Sequence, residues 1–149
     1  MTFEHFIQQA NVFGKLRAPF LFVIDFEQQK PLIVPLAQAK SAGVLYDITF
    51  GQQRLRNFAP TDAPSPLPIT LQARPPSFDH YHQAFDHVQR ALQHGDTYLL
   101  NLTCPTPITL STNFEQLFYQ GQAKYKIWLK DAFVCFSPEC FVEIHHNQI

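Results

Sequence analysis

The stretch FVCFSPECFVEI, residues 133–144, places a carboxylic acid among apolar side chains. Pro138 has no backbone N–H and fixes its own φ, so it is expected at a bend between two strands. Glu139 follows it directly. A carboxyl group with apolar neighbours loses hydration, which favours its protonated form and suits it to donate a proton near neutral pH. Glu139 is therefore a candidate general acid, although spacing alone favours a solvated turn residue.

Seven histidines and three cysteines offer further chemistry as metal ligands or nucleophiles. His80 and His87 can share a helix face, but two turns separate them and no carboxylate on that face completes a three-ligand set. A solvated polar face is the favoured interpretation. The cysteines are an odd number in a chain without an export signal, which favours reduced thiols in the core. They are Cys104, Cys135 and Cys140.

The composition indicates a globular protein with a sizeable core. Of 149 residues, 46% are apolar, 15% are charged and 15 are phenylalanine, which is typical of a folded domain. The formal net charge is -1 and no Lys or Arg cluster forms a stripe, so nucleic acid is not an expected partner. No apolar run approaches the roughly 18 residues of a membrane span, and residues 1–10 lack the pattern of a secretion signal. We therefore expect a cytoplasmic protein.

The first third of the chain predicts one helix followed by strands. Apolar residues recur on one face over residues 3–13, with Thr2 as the N-cap and Gly14 at the end. Three apolar runs separated by turn residues then predict a three-stranded antiparallel sheet. These runs cover residues 20–26, 30–36 and 43–50. Residues 57–76 follow as a proline-rich, exposed connection.

The second half predicts a long helix and further strands. Apolar residues spaced by four, three and four predict the helix, with Ser77 as its N-cap and Gly95 at its end. The four spaced residues are Tyr81, Phe85, Val88 and Leu92. A strand over 97–104, a short helix over 114–120 and a strand over 124–130 come next.

The strand over residues 124–130 alternates in polarity. Tyr125, Ile127 and Leu129 would face one side, and the three lysines with Trp128 the other, which predicts a sheet with one wet face. The lysines are Lys124, Lys126 and Lys130. Residues 132–137 and 140–146 would form the last hairpin, with the proline at its bend.

The order of these elements predicts an α+β fold, in which antiparallel sheets carry flanking helices. A doubly wound parallel sheet is the less favoured alternative. With five glycines and no glycine-rich loop, the sequence does not predict a nucleotide-binding site.

Two stretches, read together, resemble the chorismate-utilising enzymes, and most closely the aminodeoxychorismate synthase component I family. In that family a helix ends in Gly-Asp and runs into a strand written approximately as Tyr-Gln-Val-Asn-Leu-Thr. The matching positions here are Gly95, Asp96, Tyr98, Asn101, Leu102 and Thr103. The later family motif, Ser-Pro-Glu-Arg-Phe, is matched by Ser137, Pro138, Glu139 and Phe141. Residues 11–27 also look like the shorter bacterial members, so the resemblance spans nearly the whole chain.

The sequence departs from the family pattern at two positions. Leu99 stands where the family usually has Gln, and Cys140 stands where it usually has Arg. Anthranilate synthases, which are close relatives, usually have a hydrophobic residue where Asn101 stands. This difference favours the aminodeoxychorismate branch and keeps anthranilate synthase as an alternative.

The resemblance implies the amination of chorismate at C4, giving 4-amino-4-deoxychorismate for p-aminobenzoate and folate synthesis. In such enzymes a lysine is thought to attack the ring at C2, while a glutamate protonates the departing C4 hydroxyl. Glu139 aligns with that glutamate. The resemblance also implies Mg2+ on the substrate carboxylates and a glutamine amidotransferase (glutaminase) subunit as the partner that supplies ammonia.

The family motif that contains the lysine, Pro-Ile-Lys-Gly-Thr, would lie beyond Ile149, as would the magnesium ligands. Residues 1–149 therefore resemble the N-terminal portion of a longer chorismate-utilising domain, and we expect them to be inactive alone. The alternative from a different class is a non-catalytic binding or docking module that retains the N-terminal layers of the fold.

Overall fold

The computed structural model describes residues 1–136 and shows an α+β protein with antiparallel sheets and flanking helices. Its helices are α1 (Phe3–Leu16), α2 (Phe78–His94) and α3 (Phe114–Gln120), with short 3-10 turns at Leu36–Gln38 and Pro60–Asp62. Its strands are β1 (Phe20–Val23), β2 (Leu32–Pro35), β3 (Val44–Phe50), β4 (Gln53–Arg56), β5 (Leu71–Ala73), β6 (Ile108–Leu110), β7 (Tyr125–Leu129) and β8 (Phe133–Phe136). The chain forms two compact units, one of Met1–Pro66 with the chain from Phe114, the other of Leu67–Asn113.

Helix α1 begins as the sequence predicts and ends later. The Thr2 hydroxyl accepts a hydrogen bond from the His5 N–H at 3.2 Å, which caps the first turn. Gly14 does not end the helix, so that prediction is wrong. Arg17 does so in the left-handed region, at φ 51°, where its N–H bonds to the Gly14 carbonyl. A glycine inside a helix costs about 1 kcal/mol relative to alanine, and α1 continues through Gly14 to Leu16 despite this cost.

The β1–β2 hairpin packs against α1 through aromatic rings. Phe6 is buried and lies edge-on to Phe22 at 5.9 Å between ring centroids, and Phe13 lies 5.4 Å from Phe20. The two strands pair antiparallel, with Leu21 opposite Val34. Strands β1 and β2 thus form a separate two-stranded sheet within the first unit.

Strand β3 lies in a different sheet, in the order β4-β3-β7-β8, with every pair antiparallel. The predicted three-stranded run over residues 20–50 is therefore wrong at its third strand. Turn residues show where a strand ends, but they do not choose its partner. Here β3 pairs on one side with β4, the next strand in the chain, and on the other with β7, about 80 residues later, with Tyr46 opposite Ile127.

The two faces of this sheet are covered by different elements. On one face Val44 and Tyr46 form the hydrophobic core with Val34 and Ala39. Side chains alternate between faces along a strand, so Asp47 of β3 and Lys126, which lies opposite it in β7, point to the other face. Helix α3 packs there, against β7 and β8.

The second unit contains α2 and the β5–β6 hairpin. Ser77 caps α2, since its hydroxyl accepts from the His80 N–H at 3.3 Å, and Gly95 ends it at φ 88°. Both predictions are confirmed. The predicted strand over 97–104 is wrong, because these residues form no regular element. A strand requires a neighbouring ladder, and no described residue pairs with them.

Candidate functional site

The first family motif begins at the end of α2, where Gly95 and Asp96 turn the chain. The left-handed conformation of Gly95 lets its N–H bond to the carbonyls of Ala91 and Leu92. Asp96 Oδ1 lies 2.7 Å from His94 Nδ1, and both side chains are exposed. The structure therefore brings Gly95 and Asp96 together in a helix-ending turn whose polar groups face solvent.

The rest of this motif follows in irregular chain. Tyr98 is 96% exposed and Leu99 is 90% exposed. Asn101 and Thr103 are exposed, and Leu102 is half-buried. In the second unit these side chains therefore form no enclosed site.

The second motif lies outside the described residues. Ser137, Pro138 and Glu139 follow Phe136, the last residue of β8, and so does Cys140. What the structure shows is how the strand before them is held. Gly121, just after α3, lies so close to the Phe136 ring that a Cβ at this position would overlap it. The end of β8 thus packs directly against the backbone at the end of α3.

Lys126 is the residue that sequence reasoning missed. Its side chain was predicted on a wet sheet face, but it is 6% exposed, so that prediction is wrong at this position. The Nζ group donates to the carbonyls of Phe118 and Gly121, each at 2.9 Å, and lies 4.7 Å from the Phe118 ring centroid. The ammonium therefore satisfies carbonyls at the C-terminal end of α3, where the helix dipole favours a positive charge.

Asp47 lies opposite Lys126 in the β3–β7 ladder and is 2% exposed. Its two carboxylate oxygens accept from Arg54 Nε at 2.7 Å and Nη2 at 2.6 Å, a bidentate pair. The Arg54 hydrogen bonds hold the pKa of Asp47 below its ordinary value of 3.8, against the effect of burial. Burial lowers the pKa of Lys126, while the Asp47 carboxylate opposes that shift.

These groups line a cavity of about 450 Å³ between the sheet and the end of α3. Its wall also includes Gln120, whose buried Nε2 atom has no hydrogen-bond partner among the described residues. The sequence did contain a signal for this site. Asp47 interrupts the apolar strand VLYDITF, and a carboxylate in a buried strand requires a cation nearby.

The described residues do not supply a metal site. Within residues 1–136, no three His, Cys, Asp or Glu side chains converge as metal ligands. The hard Mg2+ ion takes oxygen ligands, and the carboxylate best placed inside the fold, Asp47, is committed to Arg54. In the same range no helix has the length and apolar character needed to cross a membrane.

The fold and the motifs together describe an α+β protein with an antiparallel sheet that runs into a Ser-Pro-Glu sequence. The family model for chorismate binding enzyme matches residues 13–149. The chain therefore belongs to the chorismate binding enzyme family.

Two curated relatives cover the whole chain. An uncharacterized PabA-like protein of Haemophilus influenzae is 51% identical over 148 residues, which are 99% of this chain and 43% of that protein. An uncharacterized PabA-like protein of Pasteurella multocida is 53% identical over 149 residues, or 100% of this chain and 45% of that protein. The chain thus spans less than half the length of these relatives. No solved structure matches it.

Proposed function

We propose that the chain is the N-terminal portion of an enzyme that aminates chorismate at C4 to give 4-amino-4-deoxychorismate. The observation that carries this proposal is the family match over residues 13–149, within which the Ser-Pro-Glu motif ends at Glu139. The length of the relatives supports a longer functional chain. Asn101, where anthranilate synthases usually have a hydrophobic residue, favours this branch of the family.

Glu139 has the role of general acid in this proposal. Hydroxide is a poor leaving group, so protonation of the C4 oxygen lets it depart as water. Ammonia then forms the new C–N bond at C4 as the bond between the lysine and C2 breaks, and the added nitrogen loses a proton, so chorismate and ammonia give the amino product and water with the lysine regenerated. The lysine that first attacks C2, and the ligands of Mg2+, belong to the part of the enzyme beyond residue 149. A glutamine amidotransferase partner would supply the ammonia.

The test uses a full-length chain of the length of the relatives, supplied with chorismate, Mg2+ and ammonium. We expect 4-amino-4-deoxychorismate, identified by mass spectrometry. Glu139→Gln removes the proton and should lower kcat by about 10²–10⁴, the usual contribution of a positioned acid or base. Glu27→Gln, at an exposed residue, is the matched control and should retain activity. Full turnover by Glu139→Gln would remove the assignment of Glu139.

The product distinguishes the alternatives. Anthranilate from the same reaction would place the protein in the anthranilate synthase branch. Absence of any chorismate turnover by the full-length chain would favour the binding or docking module. The 149 residues alone should give no product even with ammonium supplied, and turnover by them would contradict the placement of the nucleophile beyond residue 149.

A further inference from the structure

The cavity between the sheet and α3 carries an excess of positive charge around one carboxylate. Three cations act on Asp47, namely Arg54, Arg56 and Lys126. Arg54 is bonded to that carboxylate, and Arg56 lies opposite it in the β3–β4 ladder. One negative charge therefore faces three positive charges, two more than it can neutralise.

The acidic groups on the α3 side do not remove this excess. Tyr119, which also lines the cavity, is influenced by the charges of Glu115 and Asp62. Asp62 is itself paired with Lys40 at 2.7 Å. Among the described residues only Glu115 then remains on that side to offset the excess, so the described groups around the cavity keep a net positive charge.

Three side chains in the cavity wall carry more hydrogen-bond donors than they use on described residues. Arg54 uses Nε and Nη2 on Asp47, which leaves the N–H groups of Nη1 for another acceptor. Lys126 has three donors and uses two on the carbonyls of Phe118 and Gly121. Gln120 adds a buried Nε2 donor without a partner among the described residues. A buried donor left without an acceptor is costly, so an acceptor-rich ligand would be stabilised here.

We propose that this cavity binds a small oxyanion, a carboxylate or a phosphate, through Lys126, Arg54 and Gln120. Guanidinium groups match both kinds of oxyanion by paired N–H donors, and a buried ammonium adds a point charge. The volume of about 450 Å³ lies in the range of small-molecule sites. This inference does not rest on the proposed amination, because none of the three residues belongs to the Ser-Pro-Glu motif.

The probes are malonate and inorganic phosphate, added to the 149-residue chain at constant ionic strength. Binding to the folded state alone raises the unfolding temperature in a saturable way that yields a Kd. A rise with malonate only identifies a carboxylate site, and a rise with phosphate only identifies a phosphate site. The absence of a saturable rise with either probe would overturn the proposal.

Three variants locate the binding. Gln120→Glu replaces the Nε2 donor by a negatively charged acceptor of the same shape, and Lys126→Met removes the buried charge. Each should weaken binding about tenfold or more, as expected when a hydrogen bond to a charged group is lost. Lys124→Met, at an exposed lysine two residues before Lys126, should bind as the wild type does.

Circular dichroism checks that each variant is folded. If Lys126→Met does not fold, Gln120→Glu decides the result, since Gln120 makes no bond through Nε2 to described residues. Equal Kd values for Gln120→Glu and the wild type would overturn the assignment. Equal weakening by Lys124→Met would also overturn it, because binding would then follow net charge instead of the cavity.

Discussion

At the scale of single residues, the Asp47–Arg54 pair links stability to pH. The pKa of Asp47 is lower in the folded protein than its ordinary value of 3.8. The stability it contributes is therefore fully present above pH 3.8 and is lost as pH falls through the lower folded pKa. The exposed Arg54 side chain, 56% accessible, limits this contribution through solvent screening.

Asp47→Asn tests this link. At neutral pH the variant should lose about 1.5–2 kcal/mol of unfolding free energy, in the lower part of the range for a hydrogen bond to a charged group. The difference from wild type should shrink at pH values below the folded pKa, where the wild-type carboxyl is also neutral. Urea unfolding across this pH range measures both effects. Asp131→Asn, at an exposed turn residue, should show no such dependence, and a pH-independent difference for Asp47→Asn would contradict the expectation.

At the scale of elements, the contact between the end of α3 and β8 positions the strand that leads to the Ser-Pro-Glu motif. A Cβ at Gly121 would overlap the Phe136 ring and approach the Leu117 carbonyl at 3.1 Å. Either the ring or the end of α3 must move to admit it. Because Gly121 also accepts from Lys126, such a movement would disturb the capping of the helix.

Gly121→Ala should therefore lower the free energy of unfolding by about 1–3 kcal/mol, the usual cost of overpacking. Gly14→Ala is the matched control, because it lies exposed within α1 and a Cβ there meets nothing within 4 Å. It should stabilise the protein by about 0.5–1 kcal/mol, since alanine loses less entropy in a helix. Chemical unfolding of both variants measures the difference. Equal effects of the two substitutions would show that the Phe136 contact does not constrain position 121.

At the scale of the whole molecule, many large apolar side chains are exposed. Phe26 is 97% exposed, and Tyr98 and Leu99 are close to fully exposed. On the apolar side of α2, Tyr81 is 43% and Phe85 is 39% exposed, and no residue of this helix is fully buried. Exposed apolar surface of this extent promotes association, and the longer relatives offer further chain that can cover it.

The isolated chain should consequently self-associate. We expect its weight-average mass, measured by sedimentation velocity, to rise with concentration. Replacing Tyr98 and Leu99 by serine should reduce that rise, whereas serine in place of the exposed Thr103 should not. A monodisperse monomer at the highest attainable concentration would argue against the view that these residues are part of a larger core.

The local features of the chain could be read from its sequence. Ser77 and Gly95 bracket α2 because capping depends on residues within one or two turns. Thr2 marks the start of α1 for the same reason. The fold class followed from the order of such elements, and the family resemblance followed from motifs of adjacent residues. These features depend on residues close together in the sequence, so they can be predicted without knowledge of the rest of the fold.

The tertiary structure decided which strands pair and which polar side chains are buried. β3 pairs with β7 instead of joining β1 and β2, and 97–104 forms no strand, because a ladder depends on a partner that propensity does not specify. In the sequence, Lys126 alternates with apolar residues as a solvated lysine on a strand would. In the structure, the end of α3 covers it, and the carbonyls of Phe118 and Gly121 accept its hydrogen bonds. Local residue patterns thus predicted the helices and their caps, and two short motifs carried the family resemblance, while long-range packing determined which charges are buried and gathered around the cavity.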